Sequence, residues 1–144
     1  MKNLSLSIII LLFGMALSAK EQKAVNIPAK VKDSFTKQYP NASKVKWEME
    51  GKSYEVGFID NQKHKISLVI DADGKIVETE TTIAASEAPK VIIDYVTKNQ
   101  TGAKITEVAK IVDSKGTIKY EVEITKGKKR TDLSFDGKGN LIKK

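Results

Sequence analysis

The sequence predicts an α+β fold: tandem α-β-β-β(-β) repeats forming an antiparallel sheet, with the helices packed on one face. Three observations carry this prediction. Apolar and polar residues alternate with period two through short segments separated by Gly, Asp and Asn turns, as in "KVKWEMEGKSYEVGF" at residues 44–58. Each set of such segments follows one amphipathic helix. The arrangement also occurs twice: Pro28 matches Pro89, Tyr54 matches Tyr120 and Gly74 matches Gly139, at offsets of 61, 66 and 65 residues. Offsets that drift slightly are what a duplicated unit with unequal hairpin loops produces.

Residues 1–19, "MKNLSLSIIILLFGMALSA", stand apart from the repeats. A positive start at Lys2, an apolar run and small residues at Ala16, Ser18 and Ala19 predict a cleavable secretory signal peptide. The alternative is a retained N-terminal anchor, although the run is short for a membrane span. The expected location is therefore periplasmic or secreted, with no stable membrane insertion after cleavage. The chain has no cysteine, so it lacks both a lipoprotein anchor point and disulfide staples, and an exported domain of this kind must rest on its core. The repeats are expected at residues 20–80 and 81–144.

In the first repeat, Asn26 is placed as a helix cap and Pro28 in the first turn, where its missing N–H costs nothing. Val31, Phe35 and Tyr39 follow at a spacing of four and form one apolar stripe, and Pro40-Asn41 ends the helix. Strands follow. Val45, Trp47 and Met49 alternate with Lys46, Glu48 and Glu50; Tyr54, Val56 and Phe58 follow the Gly51 turn; Ile66, Leu68 and Ile70 lead into "DADG" and Lys75-Ile76-Val77. The alternation assigns Trp47 and Tyr54 to the core, with Tyr120 as the counterpart in the second repeat.

Residues 79–86, "TETTIAAS", are expected to link the halves. The second helix is capped by Ser86, with Pro89 in its first turn and Ala88, Ile92, Tyr95 and Val96 as its stripe, ending near Gly102. Strands are expected over Val108 to Val112, Ile118 to Ile124, Leu133 to Phe135 and Leu141-Ile142.

If both helices cover one face of the sheet, the other face is open to solvent. By alternation it presents Lys44, Lys46, Glu48, Glu55, Lys65 and Ser67 from one half, and Lys119, Glu121, Glu123, Arg130, Asp132 and Ser134 from the other. This mixed-charge face is the predicted partner-binding surface.

The combination "IPAKVKDSFTKQYPNA", "KVKWEMEGKSYEVGF" and "ISLVIDADGKIVETE" resembles the PepSY-like family of small exported bacterial proteins, β-lactamase-inhibitor-like in fold. The likeness covers nearly the whole mature chain in two copies and is looser in the second, where Val108 or Lys110 falls in place of the tryptophan. It implies a layered tandem α+β fold, an envelope location and no known catalytic activity, and it brings no set of functional residues. The fold shared with proteinaceous inhibitors points to a protein or peptide partner.

The residue types narrow the chemistry. The formal charge of the chain is +7, but Arg130 is the single arginine and the lysines are interleaved with acids, which argues against nucleic-acid recognition. His64, the only histidine, lies in "NQKHK", a loop setting that does not favour a hydrolase triad or a zinc site. Carboxylate-based hydrolysis is the residual enzymatic reading, but acids on alternating exposed positions beside lysines are expected to keep ordinary pKa values. Asp71 and Asp73 in "DADG" resemble the start of a calcium loop, yet Lys75 follows and no helix flanks it, so a hairpin turn explains the motif without a cofactor. The leading expectation is an exported, non-enzymatic binding module. A calcium- or small-ligand-responsive protein using the "DADG" turn is the alternative.

Overall fold

Seven strands pair in the order in which they occur in the chain, every neighbour antiparallel, in a computed structural model that describes residues 25–142. The signal-peptide expectation at 1–19 lies outside the described residues. Helix α1 (Ala29–Gln38) precedes β1 (Ser43–Glu50), β2 (Ser53–Ile59), β3 (Lys65–Ile70) and β4 (Ile76–Ile83). A single 3-10 turn at Ala85–Glu87 leads to α2 (Lys90–Asn99), followed by β5 (Lys104–Asp113), β6 (Ile118–Lys126) and β7 (Lys129–Asp136). The predicted final strand at Leu141-Ile142 is reduced to one bridge from Leu141 to Phe135.

The main correction concerns residues 79–86. Rather than linking the halves, most of this stretch belongs to β4, the central strand, which pairs with β3 on one side and β5 on the other. Its Thr and Glu residues looked like a linker because neither face of the strand is apolar. A central strand needs only paired backbone groups on both sides, and β-branched threonines suit it. The two repeats therefore share one continuous sheet.

Both helices pack on the same face. Val31 and Phe35 of α1 meet Val56, Phe58, Leu68 and Ile70, while Ile92 and Val96 of α2 meet Val108, Val122, Ile124 and Phe135. The helix starts differ from expectation: Pro28 and Pro89 occupy the N-cap positions, with no side-chain cap at either. The Pro28 carbonyl accepts the Val31 and Lys32 N–H groups at 3.1 Å each, so the proline fixes the entry without help from Asn26.

Four hairpin turns use one device. Asp60, Asp71, Asp113 and Asp136 each accept two backbone N–H groups, from the residues two and four positions ahead, on one carboxylate oxygen. Gly74, Gly116 and Gly139 supply the left-handed residue these turns need, while Lys63 takes that conformation in the fourth at φ 71°. These bonds to Thr117 and to Asn140 hold the Asp113 and Asp136 carboxyls below the usual carboxylate range.

Candidate functional site: the open sheet face

Strand register determines which side chains share the face opposite the helices. One row across the sheet runs Lys46, Gly57, Ser67, Glu80, Ile111, Lys119, Asp136; beside it runs Glu48, Glu55, Val69, Glu78, Asp113. On the other side lie Thr82, Ala109, Glu121 and Ser134, then Glu107, Glu123 and Asp132. Including Glu50, the described residues place eleven carboxylates on the face against five cations, Lys46, Lys65, Lys104, Lys119 and Arg130. That is a formal −6 within a chain whose total is +7. The mixed-charge surface expected from the sequence is in fact an acidic face on a basic protein.

Several of its acids are not exposed as alternation suggested. Glu55, Glu121 and Glu123 are buried, at 9%, 3% and 4% of their free area, among the buried apolar residues Val69, Ala109 and Ile111. Alternation assigns a residue to a face but says nothing of how deeply its neighbours cover it. On interior strands, side chains from both flanking strands close over a carboxylate even where no helix lies above it. Serines and a threonine hold the oxygens: the Ser67 hydroxyl donates to Glu55 at 2.6 Å, Ser134 to Glu121 at 3.2 Å, and Thr106 to Glu123.

The exposed charges of the expected site are partly engaged. Lys46 pairs with Glu48 at 2.9 Å and Arg130 pairs with Glu123. Lys119 and Asp132 are exposed on the face. Lys44 is exposed but lies in a bulge of β1, where φ is 54° and the register shifts, so it falls outside the rows.

Crowding shifts several carboxyls, against the expectation of ordinary pKa values. Burial raises Glu55, and burial together with neighbouring glutamates raises Glu50 and Glu78. Burial and the charges of Glu121, Glu55, Glu107 and Glu78 push Glu80 up to about 8, so at neutral pH it is mostly protonated. Glu80 also lines a recess of the face with Lys65, Ser67, Thr82 and Glu107. Sequence reasoning missed Glu80 because it lies in the stretch taken for a linker, and Glu78 because it immediately precedes that stretch.

The aromatic residues lie on the opposite side. Trp47 packs edge-on against Phe35, with ring centroids 5.4 Å apart, and Tyr54 and Tyr120 border the two cores. Val45 and Met49, expected beside Trp47 in the core, are 42% and 53% exposed on β1, an edge strand with a neighbour on one side alone.

Asp71 and Asp73 are occupied by the turn itself. Asp71 accepts the Asp73 and Lys75 N–H groups at 2.9 Å each, and Asp73 pairs with Lys30 at 3.2 Å. Among the described residues, no group of three or more His, Cys, Asp or Glu side chains is arranged to hold a metal ion. His64 Nδ1 lies 3.0 Å from Asp60 Oδ2 within an exposed hairpin turn. No helix among the described residues is long and apolar enough to cross a membrane.

Two overlapping stretches, residues 18–78 and 52–143, match the beta-lactamase-inhibitor-like, PepSY-like family. The chain belongs to this family. Solved structures share the fold. A periplasmic protein from Bacteroides eggerthii superposes with a TM-score of 0.73 at 16% identity, over 83% of this chain and 88% of the other. A DUF2874 family protein from Bacteroides uniformis gives 0.69 at 21%, over 81% and 86%. A BLIP-like protein from Bacteroides fragilis gives 0.63 at 21%, over 83% and 85%. At these identities the likeness shows the fold alone. No functionally curated protein matches the chain.

Proposed function

We propose that this PepSY-like protein is an exported, non-enzymatic binding module that engages a protein or peptide in the bacterial envelope through the open face of its sheet. The observation that carries the reading is the sidedness of the sheet. Both helices cover one face, while the other, over which no element of the described residues packs, gathers eleven of the chain's eighteen acids on paired strands. Holding like charges together opposes folding, so a face that keeps them is better explained by recognition than by stability. The family's inhibitor-like fold and neighbours described as periplasmic support an envelope binding role. The site lacks the supported histidine or thiol that most hydrolytic chemistry uses.

Quantitative pull-down from envelope extract tests this reading. The baits are the mature protein, a sheet-face variant (Thr82→Arg with Asp132→Arg) and a helix variant (Lys32→Glu with Lys98→Glu), each checked for folding by circular dichroism. The sheet-face variant should lose its specific partners while the helix variant retains them. The reverse pattern would reject the sheet face as the site.

A further inference from the structure

Resting on that reading, we infer that the occupant of the open sheet face is an extended, arginine- or lysine-rich segment of a partner protein, laid across the strands of the sheet and centred on β2 to β5. The first ground is charge complementarity. Three of the face's five cations are already in ion pairs, Lys46 with Glu48, Lys65 with Glu107 and Arg130 with Glu123. Glu50, Glu55, Glu78 and Glu80 lie in neighbouring rows on β1, β2 and β4; Lys46 and Lys119 favour the ionised forms of Glu55 and Glu78, but no basic side chain among the described residues is in ion-pair distance of any of the four.

The second ground is dimension. Acids recur on six of the seven strands, and strands about 4.8 Å apart spread them over roughly 25–30 Å. A single ion or a small amine neutralises one part of such a field, whereas an extended chain of about eight residues spans it. The third ground is the recess beside Glu80, lined by Ser67, Thr82 and the Lys65–Glu107 ion pair, where the hydroxyl oxygens and the Glu80 carboxyl can accept from a guanidinium.

Binding of this kind is coupled to protons. Glu80 faces Glu55 from β2, Lys65 from β3, Glu78 on its own strand, Glu107 and Asp113 from β5, and Lys119 and Glu121 from β6. An arriving cation favours the ionised form of Glu80, so a proton leaves as the segment docks, and affinity should rise as pH increases from 6 toward 9.

The test is a titration of the mature protein with an arginine decapeptide, followed by backbone amide shifts, with a glutamate decapeptide and spermine as comparators. The arginine peptide should shift amides of β2 to β5, bind at least fivefold more tightly at pH 8.5 than at pH 6, and weaken tenfold or more between about 50 and 300 mM salt. The Glu78→Gln/Glu80→Gln protein, isosteric and less charged, should lose at least fivefold in affinity and most of the pH dependence. Several results would overturn the inference: equal binding of the glutamate peptide, shifts confined to the helices, spermine binding as tightly as the decapeptide, or self-association at low salt with the same shifts. If the arginine peptide fails while pull-down partners still depend on Thr82 and Asp132, the binding face stands and the cationic partner falls. If both fail, the binding reading itself is wrong.

Discussion

The carboxyl of Glu80 on β4 is repelled by the charge of Glu121 on β6, two strands away on the same open face. Burial is the larger influence and acts in the same direction, raising Glu80 to about 8. The sheet thus holds at its centre an acid that is mostly protonated at neutral pH.

Stability should therefore fall as the medium becomes alkaline. In the unfolded chain Glu80 ionises near pH 4.5, whereas in the folded chain it retains its proton until about pH 8. Between those values the folded state binds more protons, so stability is full below pH 4.5 on this account and declines as pH rises through the interval. At about 1.4 kcal/mol per unit the loss amounts to roughly 3–5 kcal/mol. Urea melts between pH 5 and 9 should show the decline, and Glu80→Gln should flatten most of it. A residual slope should remain from Glu55 and Glu78, whose carboxyls are raised too.

The close approach of the last hairpin to α2 predicts a sensitive glycine. Gly139 has φ +87°, and a Cβ placed on it would lie 2.3 Å from Val91 Cγ1. Gly139→Ala combines left-handed strain with a clash and should destabilise by about 2–4 kcal/mol. Gly51→Ala, also at positive φ but in open space, should cost only about 1 kcal/mol. Thermal melts compare them, and Val91→Ala in the Gly139→Ala background should restore part of the loss.

The tryptophan makes a packing prediction. Trp47→Ala removes the ring set against Phe35 and should cost about 2–3 kcal/mol, whereas Met49→Ala, two residues along the same strand, should change stability by under about 0.5 kcal/mol. Denaturant midpoints distinguish the two.

Ion pairs on the face should differ by their burial. The Glu123 side chain is 5% exposed and held by Arg130 and Thr106, so Arg130→Met leaves a buried carboxylate with its charge unbalanced and should cost about 2–4 kcal/mol. Lys46→Met breaks a solvent-accessible pair with Glu48 and should cost under about 1 kcal/mol. Urea unfolding of both variants measures the contrast.

The elements legible in the sequence were those with a strong period. Val31, Phe35, Ile92 and Val96 marked the two helices, and the alternation through Tyr54, Val56 and Phe58 marked a core strand. β4 was illegible because Thr79, Glu80 and Thr81 have no apolar phase from which to read a period, and pairing on both sides is a tertiary property. The same blind spot hid Glu78 and Glu80. Lys46, Glu48 and Asp132 lie on the open face where parity puts them, but the burial of Glu55 and Glu121 depends on the flanking strands closing around them, which parity does not encode. The acidity of the face was equally invisible, since basic and acidic residues are interleaved along the chain and separate only when the strands are laid side by side.

Position-specific photo-cross-linking in the envelope is the sharpest test of the open sheet face as the binding surface. A cross-linking amino acid is placed in turn at Ser67, Thr82 and Ser134 on the open face and at Lys32 and Lys98 on the helices. The sheet positions should give one discrete partner adduct and the helix positions none. Adducts from the helices alone would contradict this.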